Sequence, residues 1–344
     1  MGVNLSDIVP AQRIELESLA GRTVAIDAYN AIYQFLSVIR QPDGTPLRDQ
    51  RGRVTSHLAG LLYRNANLLE MGVMPAYVFD GLPSKMKQRT IVERSERRAK
   101  AKKEWEAAVE RGDYQAAYSK AIQSSRITNE IVESSRLLLT HLGIPVVQAP
   151  EEGEAQAAFM ALKGDVWAAS SQDFDSLLFG APRLVRNLTL TQKRKLPGKE
   201  IAKEVSVEMI ELESILQTLS LSREQLVDLC ILMGTDYNEG VLGIGPKKGL
   251  KLIKEHKDLE SVMRFLQVEI DDHQHIRDLF LRYESTSEYK LEWKAPDEAK
   301  VIDLLSGQFD FSQARVEGAL KRMITLPGGR KRVATAGQRS LDLF

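Results

Sequence analysis

The chain has 344 residues, enough for one large domain or two lobes with sizeable cores. Its composition, 43% hydrophobic and 27% charged, is ordinary for a globular protein, and no stretch approaches the 18 apolar residues typical of a membrane span. Lys+Arg and Asp+Glu both total 47, so the net charge indicates no class of partner. Cys230 is the single cysteine, which excludes an internal disulfide, and the N-terminus lacks a secretion signal. We therefore expect a soluble intracellular protein.

Two passages of the chain alternate predicted strands with predicted helices. In the first, RTVAID (22–27) and PAYVF (75–79) are apolar runs that stop at Asp, and residues 29–39 and 55–71 between them have helical spacing. The second predicts a helix near 128–142, a strand at IPVVQA, a helix at EEGEAQAAFMAL and a strand at DVWAASSQDFD. This rhythm predicts an α/β fold with a parallel or mixed central sheet, whose site lies beyond the carboxyl ends of the strands.

The other segments have helical patterns. Residues 82–127 are highly charged and too poor in apolar residues for a core face, which predicts an exposed helical excursion from the sheet. From residue 207 onward we expect helices, beginning with LSREQLVDLCILMGTD and LGIGPKKGLKLIKEH. Further helices are predicted near 273–282, 298–306 and 311–324.

Seven acidic residues are candidates for a shared site, and nearly all stand where a predicted strand ends or a predicted helix begins, while Asp236 lies in a break after a predicted helix. They are Asp27, Asp80, Glu152, Glu154, Asp173, Asp175 and Asp236. Each alone has an ordinary explanation as a helix cap or a residue favoured by the helix dipole. Gathered at one sheet edge, however, they would repel by roughly 4 kcal/mol per pair at about 4 Å and an intermediate dielectric. Divalent metal with oxygen ligands would relieve that repulsion, so the favoured interpretation is a carboxylate-bound metal pair for phosphodiester hydrolysis.

The neutral total hides an uneven charge distribution. Residues 150–175 carry six acidic side chains and one basic, whereas 85–104 carry nine basic and three acidic. An acidic centre beside a basic surface suits a polyanion that is bridged through metal. The basic segment is either a solvated helix or a clamp over the acidic site. In the second case Lys87 and Arg94, about two helical turns apart, are candidates to stabilise charge on a scissile phosphate.

The segment LGIGPKKG, residues 242–249, predicts phosphate binding. Gly243 and Gly245 allow a tight turn that presents backbone N–H groups. The N-terminus of the following helix, beside Lys247 and Lys248, also favours phosphate. The alternative is an ordinary inter-helix turn before a solvated basic helix. Phosphate contacts of this kind would position DNA without reading its sequence.

The C-terminal segment QRSLDLF admits two interpretations. Gln338, Leu341 and Phe344 could share one side of a short helical turn and enter an apolar pocket of a partner. The alternative is a disordered end whose apolar residues are there by chance.

These segments together resemble the flap endonucleases. The likeness runs in order over nearly the whole chain, through VAIDAYNAIYQFL, VTSHLAGLLYR, PAYVFDGLPSKMKQRT, ERSERRAKA, EEGEAQAA, SQDFDSLLFG, LMGTDYNEGVLGIGPKKGLKLI and QRSLDLF. It implies a structure-specific 5′ nuclease that removes 5′ flaps at double-strand/single-strand DNA junctions in Okazaki-fragment maturation and repair, with 5′-to-3′ exonuclease activity. The modest length looks more like an archaeal member, which implies a cytoplasmic or nucleoid location.

The resemblance also implies roles for individual residues. Asp27, Asp80, Glu152 and Glu154 would serve one Mg²⁺, and Asp173, Asp175 and Asp236 the other, with Mn²⁺ as a substitute. Lys87 and Arg94 match the basic catalytic side chains at the base of a helical arch. Tyr33 matches an aromatic on which a base stacks. The expected DNA contacts are Tyr33, Arg40, Arg64, Glu152, Gly234, Asp236, Gly243, Gly245, Lys247 and Lys248. A monovalent cation such as K⁺ would assist at the 242–249 hairpin, and Gln338, Leu341 and Phe344 would bind the sliding clamp PCNA.

The architecture implied is a PIN-like nuclease core with a helical arch and a helix–two-turn–helix duplex-binding lobe. Its expected parts are 1–99 and 116–257 for the core, about 82–130 for the arch, 258–330 for a C-terminal helical part and 336–344 for the clamp-binding tail. The expected state is a monomer acting on branched DNA, away from membranes. Two alternatives stay open, a non-catalytic junction or clamp scaffold and a related nuclease for bubbles or Holliday junctions. The seven acids argue against the first, and the compact insert and the tail argue against the second.

Overall fold

Short strands form the centre of the fold. Within residues 3–189, 193–195 and 202–324, which the computed structural model describes, seven strands form one sheet and two more form a separate antiparallel pair. In chain order they are β1 (Gln12–Ile14), β2 (Thr23–Asp27), β3 (Met74–Phe79), β4 (Val146–Gln148), β5 (Ala168–Ser170), β6 (Arg183–Arg186), β7 (Lys193–Lys195), β8 (Ala202–Glu204) and β9 (Val207–Glu211). The separate pair is β7 with β8.

The sheet is mixed, as the alternation of strands and helices predicts. Its order is β1-β9-β6-β5-β2-β3-β4, in which β6, β5, β2, β3 and β4 run parallel. β9 pairs antiparallel with β6, and β1 pairs antiparallel with β9, so β1 runs in the same direction as the five parallel strands. Asp27, the last residue of β2, is in register with Val78 near the end of β3. The residues that follow the parallel strands therefore emerge at one edge.

The described residues also form α-helices, several of which cover the two faces of this sheet. They are α1 (Ala28–Val38), α2 (Ser56–Glu70), α3 (Gln88–Glu110), α4 (Tyr114–Gln123), α5 (Asn129–His141), α6 (Gly153–Leu162), α7 (Asp175–Leu178), α8 (Leu212–Leu219), α9 (Arg223–Met233), α10 (Pro246–His256), α11 (Leu259–Leu266), α12 (His273–Leu281), α13 (Glu298–Ile302) and α14 (Gln313–Ile324). Single turns of 3₁₀-helix at Leu16–Leu19 and Lys85–Lys87 and a π-helical segment at Asp303–Gln308 complete the described part. None of the helices there is long and apolar enough to span a bilayer.

The alternating side chains of the central strands enter two hydrophobic cores. On one face, Ala25 and Val78 pack with α6, α7 and α9. On the other, Val24 and Tyr77 pack with α1, α2, α5 and α14. Burial on both faces explains why these strands are near-continuous apolar runs in the sequence. It also holds the carboxyl ends of β2, β3 and β5 rigidly side by side.

Two expectations need correction. The chain from residue 207 onward was expected to be helical, yet Val207–Glu211 is the strand β9, and β6 beside it was also not predicted. These are four- and five-residue strands with charged residues at their ends, too short to show a period-2 pattern. The predicted strand DVWAASSQDFD is confined to β5, and its acidic residues lie in the turn that follows.

The helical excursion predicted over 82–127 is formed by α3 and α4. The two helices meet through small residues, and their buried side chains are Ala101, Ala108, Ala117 and Ala121. The earlier turns of α3 are largely exposed, as the sparse apolar residues of the sequence indicate. We call α3 and α4 the arch.

Candidate active site

The predicted acidic residues lie at the carboxyl edge of the sheet. Asp27 ends β2 and caps α1, accepting from the Asn30 backbone N–H at 3.0 Å. Asp80 follows β3 directly, while Glu152 and Glu154 stand at the start of α6. The remaining three come from the turn after β5, the first residue of α7 and the loop after α9: Asp173, Asp175 and Asp236.

Two local features bring Asp80 and Asp175 into place. Gly153 donates its N–H to Asp80 Oδ1 at 2.7 Å, and a Cβ at Gly153 would lie 2.7 Å from that same oxygen. Only glycine therefore allows α6 to start so close to the end of β3. Across the cluster, the Val3 backbone N–H donates to Asp175 Oδ1 at 2.9 Å. The N-terminal segment thus helps to form the floor of the site.

The carboxylates are close enough to perturb one another. Burial, and then the charge of Asp80, raises the pKa of Asp27 well above its usual value. Burial and Glu152 raise the pKa of Asp80 to about 6. Burial and Asp175 raise the pKa of Glu154 strongly. The anionic side chains from separate elements therefore share one environment.

The second half of the cluster behaves in the same way. Burial and Asp173 raise the pKa of Asp175 to about 7, and Asp236 adds to this effect. Burial also raises the pKa of Asp173. Asp236 is the exception: burial alone would raise its pKa, but Arg94 and Lys87 outweigh burial and hold it below the usual value.

Two cations from the arch lie among the acids. Lys87 Nζ is 2.6 Å from Glu152 Oε2 and 3.6 Å from Asp236 Oδ2, and Arg94 reaches Asp236 Oδ1 at 2.5 Å. Burial alone would lower the pKa of Lys87, but Glu152 and Asp236 raise it above its ordinary value. Lys87 also lies over the ring of Tyr237, 5.8 Å from its centroid. The charge of the cluster is thus partly balanced from the arch.

The donor set suits a hard divalent cation. All seven groups are carboxylates, and oxygen donors are the ligands that Mg²⁺ and Mn²⁺ prefer. Seven carboxylates face two arch-side cations, Lys87 and Arg94, and burial together with neighbouring acids raises the pKa of Asp80 and of Asp175. Across the described ranges, however, no three His, Cys, Asp or Glu side chains are already arranged to hold a single ion. The residues fit the metal chemically, and two of them, Glu152 and Asp236, are paired with Lys87 and Arg94 in this structure.

The raised pKa values predict how stability depends on pH without metal. The folded-state pKa of Asp175, about 7, exceeds its ordinary 3.8, so the native state binds more protons between these values. Unfolding free energy should therefore fall as pH rises from about 4 to about 7. Divalent metal should remove most of this fall, because it replaces the protons. Thermal melts across this pH range in EDTA and in Mg²⁺ test this, and parallel profiles in both would contradict it.

The predicted DNA contacts differ in their exposure and in the partners of their side chains. Tyr33 is half-buried and faces Arg98 of the arch, whose guanidinium carbon is 5.8 Å from its ring centroid. Arg40 donates to Gly44 O at 2.6 Å and to Ser125 Oγ at 2.7 Å. Arg64 is buried, with its guanidinium donating to the Leu188 carbonyl. In this arrangement Arg64 supports the loop after β6 rather than an open surface.

The hairpin residues are accessible. Gly243, Gly245, Lys247 and Lys248 are exposed, and Pro246 is the first residue of α10. Gly234 has φ +100°, and a Cβ there would lie 2.6 Å from Glu239 O, so this glycine closes the loop that carries Asp236. The predicted clamp-binding residues Gln338, Leu341 and Phe344 lie outside the described residues.

Two residues near the acids were not found from the sequence. Tyr237 lies under Lys87, and burial together with the Glu152 carboxylate raises the Tyr237 pKa. Thr90 Oγ1 donates to the Asp236 backbone carbonyl at 2.6 Å. A signal was present for Thr90, since it lies three residues after Lys87 and four before Arg94, on one helical face. Tyr237 follows Asp236 directly, and nothing in its spacing marks it.

Comparison with known proteins identifies the architecture. Residues 1–101 match the XPG N-terminal domain and 143–236 the XPG I-region. The chain is 49% identical over 342 residues to flap endonuclease 1 of Thermococcus onnurineus, covering 99% of this chain and 97% of the relative. The chain belongs to the flap endonuclease 1 family. It is therefore a structure-specific flap endonuclease, a hydrolase of DNA phosphodiester bonds that works in replication and repair.

Solved structures agree with this family. The flap endonuclease-1 of Methanococcus jannaschii superposes with a TM-score of 0.74 at 41% identity, covering 94% of this chain and 98% of that one. The catalytic core of Rad2 in complex with DNA substrate gives a TM-score of 0.69 at 25% identity, over 91% and 96% of the two chains. The PIN-like 5′ nuclease core expected from the sequence is thus confirmed.

Proposed function

We propose that the chain cleaves 5′ flaps with two Mg²⁺ ions held by the carboxylate cluster, with Mn²⁺ able to substitute. The observation that carries this is the mutual perturbation of acids from β2, β3, α6, α7 and the loop after α9. Asp27, Asp80, Glu152 and Glu154 would hold one ion, and Asp173, Asp175 and Asp236 the other. Such ions supply activated water and stabilisation of the leaving oxygen.

In this proposal the arch cations act on the substrate. Lys87 and Arg94 are drawn to Glu152 and Asp236 in the absence of DNA. A scissile phosphate entering the cluster brings its own negative charge to the same place. The two side chains can then turn to the phosphate and stabilise charge that develops there during cleavage. We assign Tyr33, which is half-buried beside Arg98, to stacking on a neighbouring base.

The duplex is held away from the reacting atoms. The exposed hairpin offers backbone N–H groups from Gly243 and Gly245 at the N-terminus of α10, beside Lys247 and Lys248. We assign it to the phosphates of one uncut strand, with a monovalent cation such as K⁺ assisting. Affinity from such contacts falls with salt and carries no sequence information. Cleavage specificity then comes from the shape of the junction.

The remaining expectations become part of the same proposal. The core would comprise 1–99 and 116–257, with the arch at about 82–130, a C-terminal helical part at 258–330 and a tail at 336–344. We propose that the chain acts as a monomer on branched DNA at the nucleoid and also degrades 5′ ends as a 5′-to-3′ exonuclease. Arg40, Arg64 and Gly234 are proposed DNA contacts. For Arg64 this requires its guanidinium to leave the Leu188 carbonyl.

A panel of end-labelled substrates tests the proposal. Flap, nicked, bubble and four-way DNA of matched sequence are incubated with Mg²⁺, with Mn²⁺ and with EDTA. We expect metal-dependent cutting of the 5′ flap at the junction, with slower loss of 5′ ends from nicked DNA. Preferential cutting of bubbles or four-way junctions would favour the related nuclease, and binding without cutting in either metal would favour a scaffold.

Deletion of residues 338–344 tests the proposed clamp contact. We expect unchanged cleavage of naked flaps, because the tail is remote in sequence from the acids, and loss of stimulation by the archaeal sliding clamp PCNA. The measurement is the cleavage rate of a flap on circular DNA with and without loaded clamp. A companion variant, the triple substitution of Gln338, Leu341 and Phe344 by alanine, removes the same side chains and keeps the chain length. Equal stimulation of the deleted and full-length chains would refute the assignment.

A further inference from the structure

The first turns of the arch helix α3 face the loop that carries Asp236. Thr90 and Arg94 lie four residues apart on α3, within about 40° of arc on one helical face, and Lys87 ends the 3₁₀ turn directly before the helix. All three contact Asp236: Lys87 and Arg94 through the carboxylate, and Thr90 through the backbone carbonyl. The buried alanines of α3, Ala101 and Ala108, lie several turns further on. The first turns are therefore held by polar contacts.

Thr90 differs from its two neighbours in what it binds. The Lys87 and Arg94 side chains bind a carboxylate that the proposed function assigns to metal, so their contacts change when metal and DNA enter. The Thr90 hydroxyl donates to a main-chain carbonyl at 2.6 Å, and that contact is independent of the carboxylate. The adjacent ion pair of Arg89 with Glu239 is exposed and adds little.

The loop that receives Thr90 is a fixed support. Gly234 leaves α9 with φ +100°, a conformation that lets the loop close on itself. Thr235 donates its backbone N–H to Asn238 O at 3.0 Å, and Asn238 Nδ2 donates to Ile231 O at 2.8 Å. Because the Thr90 hydroxyl donates to this loop, the contact orients α3 about its own axis relative to the carboxylates.

We propose that Thr90 is a positioning residue for cleavage, whose hydroxyl sets the rotation of α3 so that Lys87 and Arg94 face the carboxylate cluster. The inference rests on the roles proposed above for those two cations. Threonine is a weaker helix former than alanine, and Thr90 lies on an exposed helix where core packing does not require it. The Thr90 hydroxyl, which donates to the Asp236 carbonyl, is the part of the side chain that makes a specific contact.

Two substitutions separate the hydroxyl from the shape of the side chain. Thr90→Val keeps the β-branch and volume and removes the donor, and Thr90→Ser keeps the donor. Losing one net hydrogen bond should lower the single-turnover rate at saturating flap DNA by roughly 3- to 10-fold in Thr90→Val. DNA affinity should stay within about 2-fold of the unsubstituted chain, since the hairpin contacts are intact, and Thr90→Ser should recover the rate. Ser95→Ala, an exposed hydroxyl about 140° around α3 from Thr90, is the matched control.

A double-mutant cycle with Arg94→Ala tests whether Thr90 acts through the cation. If it does, Thr90→Val should cost much less in the Arg94→Ala background than alone. Hydrogen exchange without metal or DNA supplies a readout other than activity. Amides of residues 88–94 should exchange several-fold faster in Thr90→Val, while those of α9 and β2 stay unchanged.

The outcomes separate this inference from the proposed function. If Arg94→Ala cleaves at the normal rate, the proposed role of Arg94 falls, and the inference falls with it. If Arg94→Ala is slow but Thr90→Val is as fast as the unsubstituted chain, only the inference is overturned. Equal slowing by Thr90→Val in both backgrounds, or faster exchange across the whole fold, would show a general structural role and also overturn it.

Discussion

Replacing Asp175 by alanine is expected to lower cleavage of a 5′ flap by roughly 10³-fold or more, a loss of several kcal/mol of transition-state stabilisation. The side chain is 6% exposed, and its pKa is raised to about 7 by burial, Asp173 and Asp236. It is therefore a buried carboxylate beside two other acids, where a cation would stabilise its charged form. Binding of the junction should be largely intact, because the hairpin and arch surfaces are untouched.

A second substitution at this position, Asp175→Asn, should reveal a conflict between activity and stability. In Asp175→Asn the amide oxygen can still accept from the Val3 backbone N–H, but one buried charge is removed. The metal-free protein should then melt at a higher temperature near pH 7 than the unsubstituted chain, since less repulsion is stored in the fold.

The control for Asp175 is Glu151→Gln. Glu151 adjoins Glu152 at the start of α6 but is not among the proposed ligands. Cleavage and flap binding are measured for both variants under single-turnover conditions in Mg²⁺. Near-normal turnover by Asp175→Ala, or equal losses in the two variants, would remove Asp175 from the metal site.

Much of the site could be predicted because parallel strands deliver their ends to one edge. Asp27 and Asp80 follow apolar runs that are unmistakable strands, and Glu154 stands in the first turn of the next helix. Their convergence therefore follows from the topology alone. Asp236 comes from a loop 61 positions after Asp175 in the sequence. The pattern marks it only as an acid in a break after a predicted helix, and the resemblance supplies its assignment to a metal.

The contacts that depend on three-dimensional packing could not be predicted. Thr90 contacts the Asp236 carbonyl because α3 leans on the loop after α9, and Tyr237 lies near Glu152 because that loop also meets the start of α6. Sequence spacing marks Thr90 as sharing a helical face with Lys87 and Arg94, but it does not show which loop that face meets. For Arg64, the expected role and the observed surroundings differ. The resemblance implies a DNA contact, while the fold buries the side chain against Leu188. Whether a charged side chain is exposed is decided by its neighbours in space.

Substitution of Lys87 by methionine should lower the single-turnover rate by roughly 10²- to 10³-fold, the usual cost of removing one preorganised group that stabilises transition-state charge. Methionine keeps most of the aliphatic stem, so the arch should still pack. DNA affinity should change far less than the rate, because many exposed cations remain on the arch and hairpin.

Lys87 should also stabilise the fold, and divalent metal should compensate for part of the stability that is lost when Lys87 is replaced. Its ammonium lies 2.6 Å from Glu152 in a pair whose side chains are 17% and 11% exposed. Removing one member of such a pair leaves a poorly solvated charge, at a cost of about 3–5 kcal/mol when burial is complete and less here. In EDTA, Lys87→Met should therefore melt below the unsubstituted chain. In Mg²⁺ the gap should narrow, because the metal takes over the charge of the carboxylates.

This pattern separates a catalytic cation from a structural one. A purely structural lysine would lower stability equally in EDTA and Mg²⁺ and would slow cleavage only through unfolding. Lys103→Met, an exposed lysine on the same helix, controls for loss of arch charge and should leave both properties near normal. Lys87→Arg should restore the stability in EDTA but only part of the rate, because a guanidinium pairs with a carboxylate yet differs in reach and shape from an ammonium. Full cleavage by Lys87→Met at saturating DNA would place the stabilisation of the phosphate elsewhere.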